Sequence, residues 1–353
     1  MLLLAACGNE LRGPEITAPS PEQTPALGES TTAPRWVPEV CGVQTWPGAM
    51  TANVAMAVVA SGSGAAIFTV DKLGGPLIGY AIDARGKMTT AGTKLTADGG
   101  FTAVSASSVD GRYVVATVAG DTTLVNLITQ DFAQVQQVGK LEGSLVAARP
   151  IITARDQRLG VTAGATGVQL ASFDGAWTQS TTTKLAGPAI GMDAISFGQD
   201  ALVAWSTDSG CMVQEVAFTK TATGLTSCRS PRLAAGYGNR AELAYVGAGG
   251  VQVGDLYMSG ATAIASTHAI GHDSTSPRIA FDGQRYWMTY IDARGDVVVG
   301  YLTADNSSLI SMALEDVSPQ ADAYELTIVD GQPMVFSADA NGYAAHAICL
   351  THQ

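Results

Sequence analysis

The chain has 353 residues, of which 46% are hydrophobic and 14% are charged, and its formal net charge is −12. This composition can supply a large core and excludes intrinsic disorder for most of the chain. The acidic balance argues against nucleic acid and anionic membrane surfaces as partners, because binding to phosphates needs clustered Lys and Arg.

The first predicted element is a short apolar segment that ends at a cysteine. Leu4, Ala5, Ala6 and Cys7 follow the order of a lipobox, in which Leu and two small residues precede the Cys that is lipidated. Residues 1–7 therefore resemble the end of a bacterial lipoprotein signal peptide, although no Lys or Arg precedes the short apolar run. The resemblance implies a lipid on Cys7 and a place in the bacterial cell envelope, at the outer membrane, facing the periplasm or the cell surface.

A flexible tether is predicted for residues 8–35, which are rich in Pro, Ser, Thr, Glu and Ala. Proline fixes its own φ angle and restricts the residue before it, so such a segment stays extended and semi-rigid. It would hold a folded domain, residues 36–353, away from the membrane. No later stretch is long and apolar enough to span a bilayer, so the lipid is the expected membrane attachment.

From about residue 53 onward the sequence repeats a unit of about 45 residues. Each unit contains short runs rich in Val, Thr, Ile, Tyr and Ala, bounded by Gly, Asp or Ser, as is typical of antiparallel strands. The second strand of each unit supplies one of seven anchors: Ile67, Tyr113, Leu159, Leu202, Leu243, Tyr286 and Met334. Hairpin dipeptides precede some anchors, as at Asp110-Gly111 and Asp330-Gly331. Four-stranded units of this length predict an all-β fold, a seven-bladed β-propeller.

Ring closure is predicted from a missing strand and a spare one. The last unit contains three strands, whereas Trp36 to Trp46 forms an additional strand before the first unit. Because a propeller must close its ring, we expect the N-terminal strand to complete the last blade. With the lipobox, the repeat resembles propeller lipoproteins in general, but it carries no motif of a particular functional family.

The four cysteines that follow Cys7 are suited to two disulfides in an oxidising compartment. Three pairings are formally open. The repeat register favours two pairs that each join the third and fourth strands of one blade. These pairs are Cys41 with Cys349 and Cys211 with Cys228.

Aspartates recur in the loops that join second to third strands. In a propeller these loops share one face with the loops between blades, and we call this the loop face. Its predicted rim contains Asp71, Asp121, Asp208, Asp292 and Asp339. These carboxylates are candidates for binding a cation or a basic segment. The competing interpretation, which the sequence favours, is that Asp is a common turn residue.

Metal and nucleophile motifs are weak in this sequence. It contains no DxDxDG calcium loop, zinc spacing or GxSxG motif. His268, His272 and Asp273 form a weak candidate metal group, but the two histidines would lie roughly 13 Å apart on an extended strand unless the chain turns at Gly271. We therefore expect no cofactor and no metal.

Two functions from different classes fit this sequence. The favoured one is a monomeric, lipid-anchored, non-enzymatic binding or scaffold module for a protein or a glycan of the cell envelope. The alternative is a carbohydrate-active hydrolase or lyase with acids at the channel mouth. Converging carboxylates or an Arg cluster in a deep pocket would favour the enzyme, whereas a shallow surface of small residues and scattered Asp would favour binding.

Overall fold

Within the residues that it describes, the computed structural model of this protein contains 28 β-strands and no helix. The described residues are 36–352, with gaps at 48–54, 63, 71, 73, 98, 143–144, 154–155, 177, 217–222, 259–261, 316, 318, 320–322 and 340–341. Cys7, the tether and Asp71 lie outside them, so what was predicted for these residues stays a prediction. No helix of the described part is long and apolar enough to cross a membrane.

The strands form seven four-stranded antiparallel sheets, the blades. Blades 1 and 2 consist of β2 (Met56–Ser61), β3 (Gly64–Thr69), β4 (Ile78–Asp83), β5 (Met88–Lys94), β6 (Phe101–Val109), β7 (Arg112–Ala119), β8 (Thr122–Thr129) and β9 (Val135–Glu142). Blades 3 and 4 consist of β10 (Leu145–Ile152), β11 (Arg158–Gly164), β12 (Gly167–Phe173), β13 (Gln179–Ala186), β14 (Gly191–Phe197), β15 (Asp200–Thr207), β16 (Gly210–Glu215) and β17 (Thr223–Thr226). Blades 5 and 6 consist of β18 (Arg229–Ala235), β19 (Arg240–Gly247), β20 (Gly250–Met258), β21 (Thr262–His272), β22 (Thr275–Phe281), β23 (Tyr286–Ile291), β24 (Val297–Leu302) and β25 (Leu309–Leu314). Blade 7 consists of β26 (Tyr324–Val329), β27 (Gln332–Ala338), β28 (Gly342–His352) and β1 (Trp36–Pro47).

The first strand of each blade lies innermost and contacts the first strands of both neighbouring blades. The chain of contacts runs from β2 around to β26, and β26 contacts β2 again, which closes the ring. The predicted all-β, seven-bladed propeller is therefore confirmed. Its first strands line a central channel.

Burial explains the different sequences of middle and outer strands. The second strand of blade 4, β15, reads DALVAWST and its six central residues are all buried, because neighbouring blades cover both faces of a middle strand. The outer strand β13 reads QSTTTKLA and is mostly exposed. Apolar runs therefore mark middle strands, and Thr-rich runs mark a solvent-facing edge.

The predicted hairpin turns adopt the backbone that their residues tolerate. Asp110 and Gly111 have φ angles of 44° and 70°, and Asp330 and Gly331 have φ angles of 51° and 76°. Asp and Gly accept this left-handed region at lower cost than branched residues. These turns fix the register between first and second strands.

The N-terminal strand completes blade 7, as expected. β1 pairs antiparallel with β28, and a bulge between Val40 and Gly42 interrupts the register next to Cys41. The Cys41–Cys349 disulfide joins the two strands, with 5.7 Å between the Cα atoms. It connects positions 308 residues apart in sequence and so fastens both ends of the ring.

The second disulfide, Cys211–Cys228, lies in blade 4 and also matches the favoured pairing. Cys211 lies in the third strand, but Cys228 follows the fourth strand instead of ending it, because β17 stops at Thr226. Ser227, with a φ angle of 55°, turns the chain between them. Two disulfides are typical of a protein that folds in an oxidising, extracytoplasmic compartment.

Candidate functional site

Four of the five predicted rim aspartates lie within the described residues, and each occupies a loop between second and third strands of its blade. Asp121 and Asp208 are exposed, whereas Asp292 and Asp339 are partly buried. Asp339 accepts a hydrogen bond of 3.0 Å from the backbone N–H of Gly342. The structure places them on one face but in separate blades, so binding of a ligand by this rim stays a prediction.

Asp292 is held within its own turn. Its Oδ1 accepts hydrogen bonds from the backbone N–H groups of Arg294 and Asp296, at 2.9 and 3.0 Å. The sequence IDARG also occurs at residues 82–86, where Asp83 accepts the same two bonds from Arg85 and Lys87. That copy joins a third strand to a fourth, on the other face of the ring. The shared motif is therefore a turn structure and does not mark one surface.

The predicted His group does not converge on one point. His272 contacts Asp273, with 2.8 Å between Nδ1 and Oδ2, and both side chains are exposed. His268 faces the neighbouring strand, where its Nε2 lies 3.7 Å from Asp255 Oδ2. Among the described residues, no cluster of three or more His, Cys, Asp or Glu side chains has the arrangement of a metal site.

Charged residues that the sequence reasoning did not select cross the central channel. Five consecutive first strands, β10, β14, β18, β22 and β26, each place one charged residue there. We call these residues the channel belt: Arg149, Asp193, Arg232, Arg278 and Glu325. Three guanidinium groups thus face two carboxylates in a protein whose overall charge is strongly negative.

Four residues of the belt form two ion pairs. Arg149 Nε lies 2.7 Å from Asp193 Oδ1, and Asp193 Oδ2 accepts a hydrogen bond of 2.9 Å from the backbone N–H of Leu233. Arg278 Nε lies 3.1 Å from Glu325 Oε1. Asp193 therefore accepts two hydrogen bonds, whereas Glu325 is held by an ion pair.

Arg232 is the fifth member and differs from the other two arginines. No residue of the described part forms a hydrogen bond or an ion pair with its guanidinium. Burial, and then repulsion by Arg278 and Arg149, lower the pKa of Arg232 to about 10. Its side chain therefore carries a positive charge at neutral pH, and that charge is the excess charge of the belt.

Two cavities open on opposite sides of the belt. The cavity toward the loop face has a volume of about 410 Å³, and the starts of the first strands line it, including Met56, Ile190 and Pro231. The cavity toward the opposite face has a volume of about 400 Å³, and Ile152 and Ile279 are among its lining residues. Arg149, Arg232, Arg278 and Glu325 line both cavities, so the belt separates two funnels of one channel.

A larger cavity of about 570 Å³ lies at blade 7, beside the loop between β27 and β28 that contains Asp339. Trp46, Tyr343 and His346 contribute to its lining, and the Trp46 and Tyr343 rings stack with centroids 6.0 Å apart. Burial lowers the pKa of His346, so this imidazole is neutral near pH 7. The cavity therefore places one rim aspartate, Asp339, at a concave surface.

Two carboxyl groups of blade 5, the buried Glu242 and the partly exposed Asp255, contact Asn306 of blade 6. Asn306 Nδ2 donates to Glu242 Oε1 and to Asp255 Oδ1, both at 2.8 Å. Burial, and then the charge of Asp255, raise the pKa of Glu242 to about 9. Burial alone would raise the pKa of Asp255 too, but hydrogen bonds from Ser266, Asn306 and Glu242 lower it on balance. Glu242 is therefore the protonated member of the pair at neutral pH.

Seven four-stranded blades around a charged channel define this protein as a seven-bladed β-propeller. It matches no protein-family model, and no curated protein matches its sequence. Among solved structures it is similar to the WD40 domain of SCAP from fission yeast, with 10% sequence identity and a TM-score of 0.46. That alignment covers 88% of this chain and 90% of the WD40 chain.

Proposed function

We propose that this protein is a lipid-anchored β-propeller of the bacterial cell envelope that binds a protein or a glycan on its loop face. Propellers commonly act as interaction scaffolds, and the two disulfides suit an extracytoplasmic compartment. The lipobox at Cys7 would supply the anchor, and the Pro-rich tether would give the domain reach.

We favour binding over catalysis because the channel carboxylates are already paired with other groups. A general acid or base must exchange a proton with its substrate, within hydrogen-bond reach. Asp193 is engaged by Arg149 and by a backbone N–H, and Glu325 is engaged by Arg278. The channel does contain the Arg cluster that we associated with an enzyme, but each of its two acids is held in an ion pair by an arginine.

A different pair of carboxyl groups, Glu242 and Asp255, is the better candidate for the hydrolase or lyase alternative. Glu242 and Asp255 have pKa values pushed in opposite directions, which is how many enzymes separate an acid from a base. Glu242, however, is only 3% exposed, and neither it nor Asp255 lines the channel funnels or the blade 7 cavity. Asp255 is partly exposed, but the protonated member, Glu242, is shielded from a substrate, so binding remains the better proposal.

The anchor is tested by replacing the lipidated cysteine. The wild type should fractionate with membranes of the native host, and the Cys7→Ser variant should move to the soluble fraction. Metabolic labelling with a fatty acid should mark the wild type alone. An unlabelled wild type that stays soluble would refute lipidation of Cys7 and would leave the binding proposal unaffected.

The loop face is tested by cross-linking capture from the native envelope, using the full chain and two matched double variants. Asp121→Asn with Asp208→Asn removes the two exposed rim charges, whereas Asp110→Asn with Asp330→Asn removes two exposed charges from turns on the opposite face. Asn tolerates the positive φ angles of these control positions.

A specific partner should be captured by the wild type and by the opposite-face variant, with cross-links that map to the loop face. Capture should fall in the rim variant. Equal capture by all three proteins would contradict a role for the rim. Turnover of a glycan by the purified protein, without a specific partner, would support the enzyme instead.

A further inference from the structure

We propose that the channel belt is a binding site for a small carboxylate ligand, and that Arg232 is the residue that binds it. This site lies inside the ring and is separate from the loop-face rim. It requires neither the lipid anchor nor a macromolecular partner, so it can be tested independently of them.

The first step is the unpaired state of Arg232. Arg149 and Arg278 each have a carboxylate within 3.1 Å, whereas Arg232 has no hydrogen-bond or ion-pair partner among the described residues. A cation that is partly removed from water without a partner lowers stability. Ordinary packing would place an apolar side chain here, so the guanidinium indicates an interaction with something that enters the channel.

The second step is that the neighbouring acids are fixed by other donors. Asp193 uses one oxygen for Arg149 and the other for the backbone of Leu233. Arg278, which holds Glu325, is itself fixed by donating to the carbonyl of Pro277 at 3.0 Å. Its guanidinium also lies over the ring of Tyr324, 4.8 Å from the centroid. Asp193 and Glu325 thus contact other groups, and neither forms a hydrogen bond or an ion pair with Arg232.

The third step concerns the charge and shape of the ligand. The belt has one excess positive charge, which one carboxylate neutralises, and a guanidinium presents two parallel N–H donors that match the two oxygens of a carboxylate. A phosphate dianion would add a second negative charge for which the belt has no unpaired cation. A monoanionic carboxylate is therefore the better match.

The fourth step concerns size and lining. Funnels of about 410 and 400 Å³ fall in the range of about 300–1,000 Å³ that is common for small-molecule sites. No aromatic side chain lines either funnel among the described residues, so a stacking platform for a sugar ring is missing there. Met56, Ile190 and Pro231 near the loop-face entrance suit a short aliphatic body.

The test is calorimetric titration of the purified full chain with sodium butyrate, sodium acetate and sodium phosphate, at constant ionic strength maintained with chloride. Butyrate should bind saturably, with one site per chain, and more tightly than phosphate. Arg232→Met should weaken butyrate binding by at least about tenfold, because a charge-assisted bidentate contact is lost. Arg112→Gln, which removes an exposed arginine from the edge of β7, should leave the affinity unchanged.

A second readout separates a ligand site from a structural role. Without ligand, Arg232→Met should melt at the same temperature as the wild type or higher, because it removes an unpaired charge that is partly removed from water. A lower melting temperature, with butyrate binding intact, would overturn the proposal. Arg232→Lys keeps the charge but loses the two-donor fork, so it should fold and bind more weakly than the wild type, and an unchanged affinity in that variant would also overturn it.

Other ligands give distinct results. Phosphate binding tighter than butyrate would refute the carboxylate assignment. Binding of an acidic peptide in the absence of any butyrate binding would replace the small ligand with a protein partner. A saturable site that survives in both Arg232 variants would place the ligand elsewhere, with the blade 7 cavity as the next location to examine.

Discussion

Replacing Glu242 by Gln tests the charge state of the Glu242–Asp255 pair. The side chain is 3% exposed, and as an anion it would leave Oε2 without a hydrogen-bond donor among the described residues. Gln has nearly the same shape and no charge. Its carbonyl oxygen can accept from Asn306, and its amide can donate to Asp255, so the substitution should preserve the hydrogen bonds of the protonated acid.

The magnitude follows from proton linkage. The pKa of Glu242 is raised to about 9 in the fold from 4.5, so between these pH values the folded chain binds a proton that the unfolded chain has released. Stability that is fully present below the unfolded pKa is therefore lost as the pH rises, by up to about 1.4 kcal/mol per pH unit. At pH 7 the loss is about 3 kcal/mol, and Glu242→Gln should recover most of it.

The assay is urea unfolding of both proteins at intervals from pH 4.5 to 9, with the free energy of unfolding extrapolated to water. The difference between variant and wild type should be near zero at the acid end and should grow with pH. Glu39→Gln, at an exposed position of β1, is the control and should give a small difference that does not depend on pH. A flat difference for Glu242→Gln, or a less stable variant at pH 7, would refute the protonated state.

Two further predictions concern ring closure and a backbone position. Replacing Cys41 and Cys349 together by Ala should lower the free energy of unfolding by up to about 6 kcal/mol, because the disulfide closes a loop of 308 residues; denaturant unfolding under non-reducing conditions measures the loss, and an unchanged midpoint would contradict the closure. Gly210→Ala should destabilise by more than about 2 kcal/mol, because Gly210 has a φ angle of 142° and an added Cβ would clash with the carbonyl of Leu225. Gly249→Ala, where the Cβ meets open space, is its control in thermal unfolding, and equal effects of the two would show that the clash is relieved.

The architecture could be predicted because each blade repeats the same local rules. A middle strand such as β15 must be apolar on both faces, and a tight hairpin must contain residues such as Asp110 and Gly111 that accept positive φ angles. These requirements recur at the period of the blade, so the phase of the repeat fixes strand order. That phase also placed Cys41 beside Cys349, although they are distant in sequence.

The channel belt was missed because its members look ordinary when taken singly. Arg149 and Asp193 are each the single charge of a short apolar strand, and Arg232 shares its strand with one other arginine; such scattered charges usually indicate solvent exposure. The available signal was their phase, since each belt residue precedes the anchor of its unit by eight to eleven residues. Which of them pair is decided by distances across the channel, and these depend on the ring and not on any local pattern.

The aspartates of the loop face fall into two groups, those that stabilise their own turn and those that are exposed to solvent. Turn formation explains Asp292 and Asp83, because both accept the same pair of backbone hydrogen bonds in different loops. Asp121 and Asp208 are exposed and form no such bonds to other residues of the described part. The rim hypothesis therefore rests on these two positions, which is why they, and not Asp292, are replaced in the capture experiment.

Glu242 and Arg232 are both partly or fully removed from water, but they differ in charge and in their partners. Glu242 resolves its burial by keeping a proton, and its hydrogen bonds to Asn306 and Asp255 are satisfied within the chain. Arg232 stays charged at neutral pH, because its pKa is lowered only to about 10, and it borders open volume on both sides. A buried group that the protein itself satisfies contributes to structure, whereas a charged group that faces a cavity without a partner is the basis on which we propose a ligand.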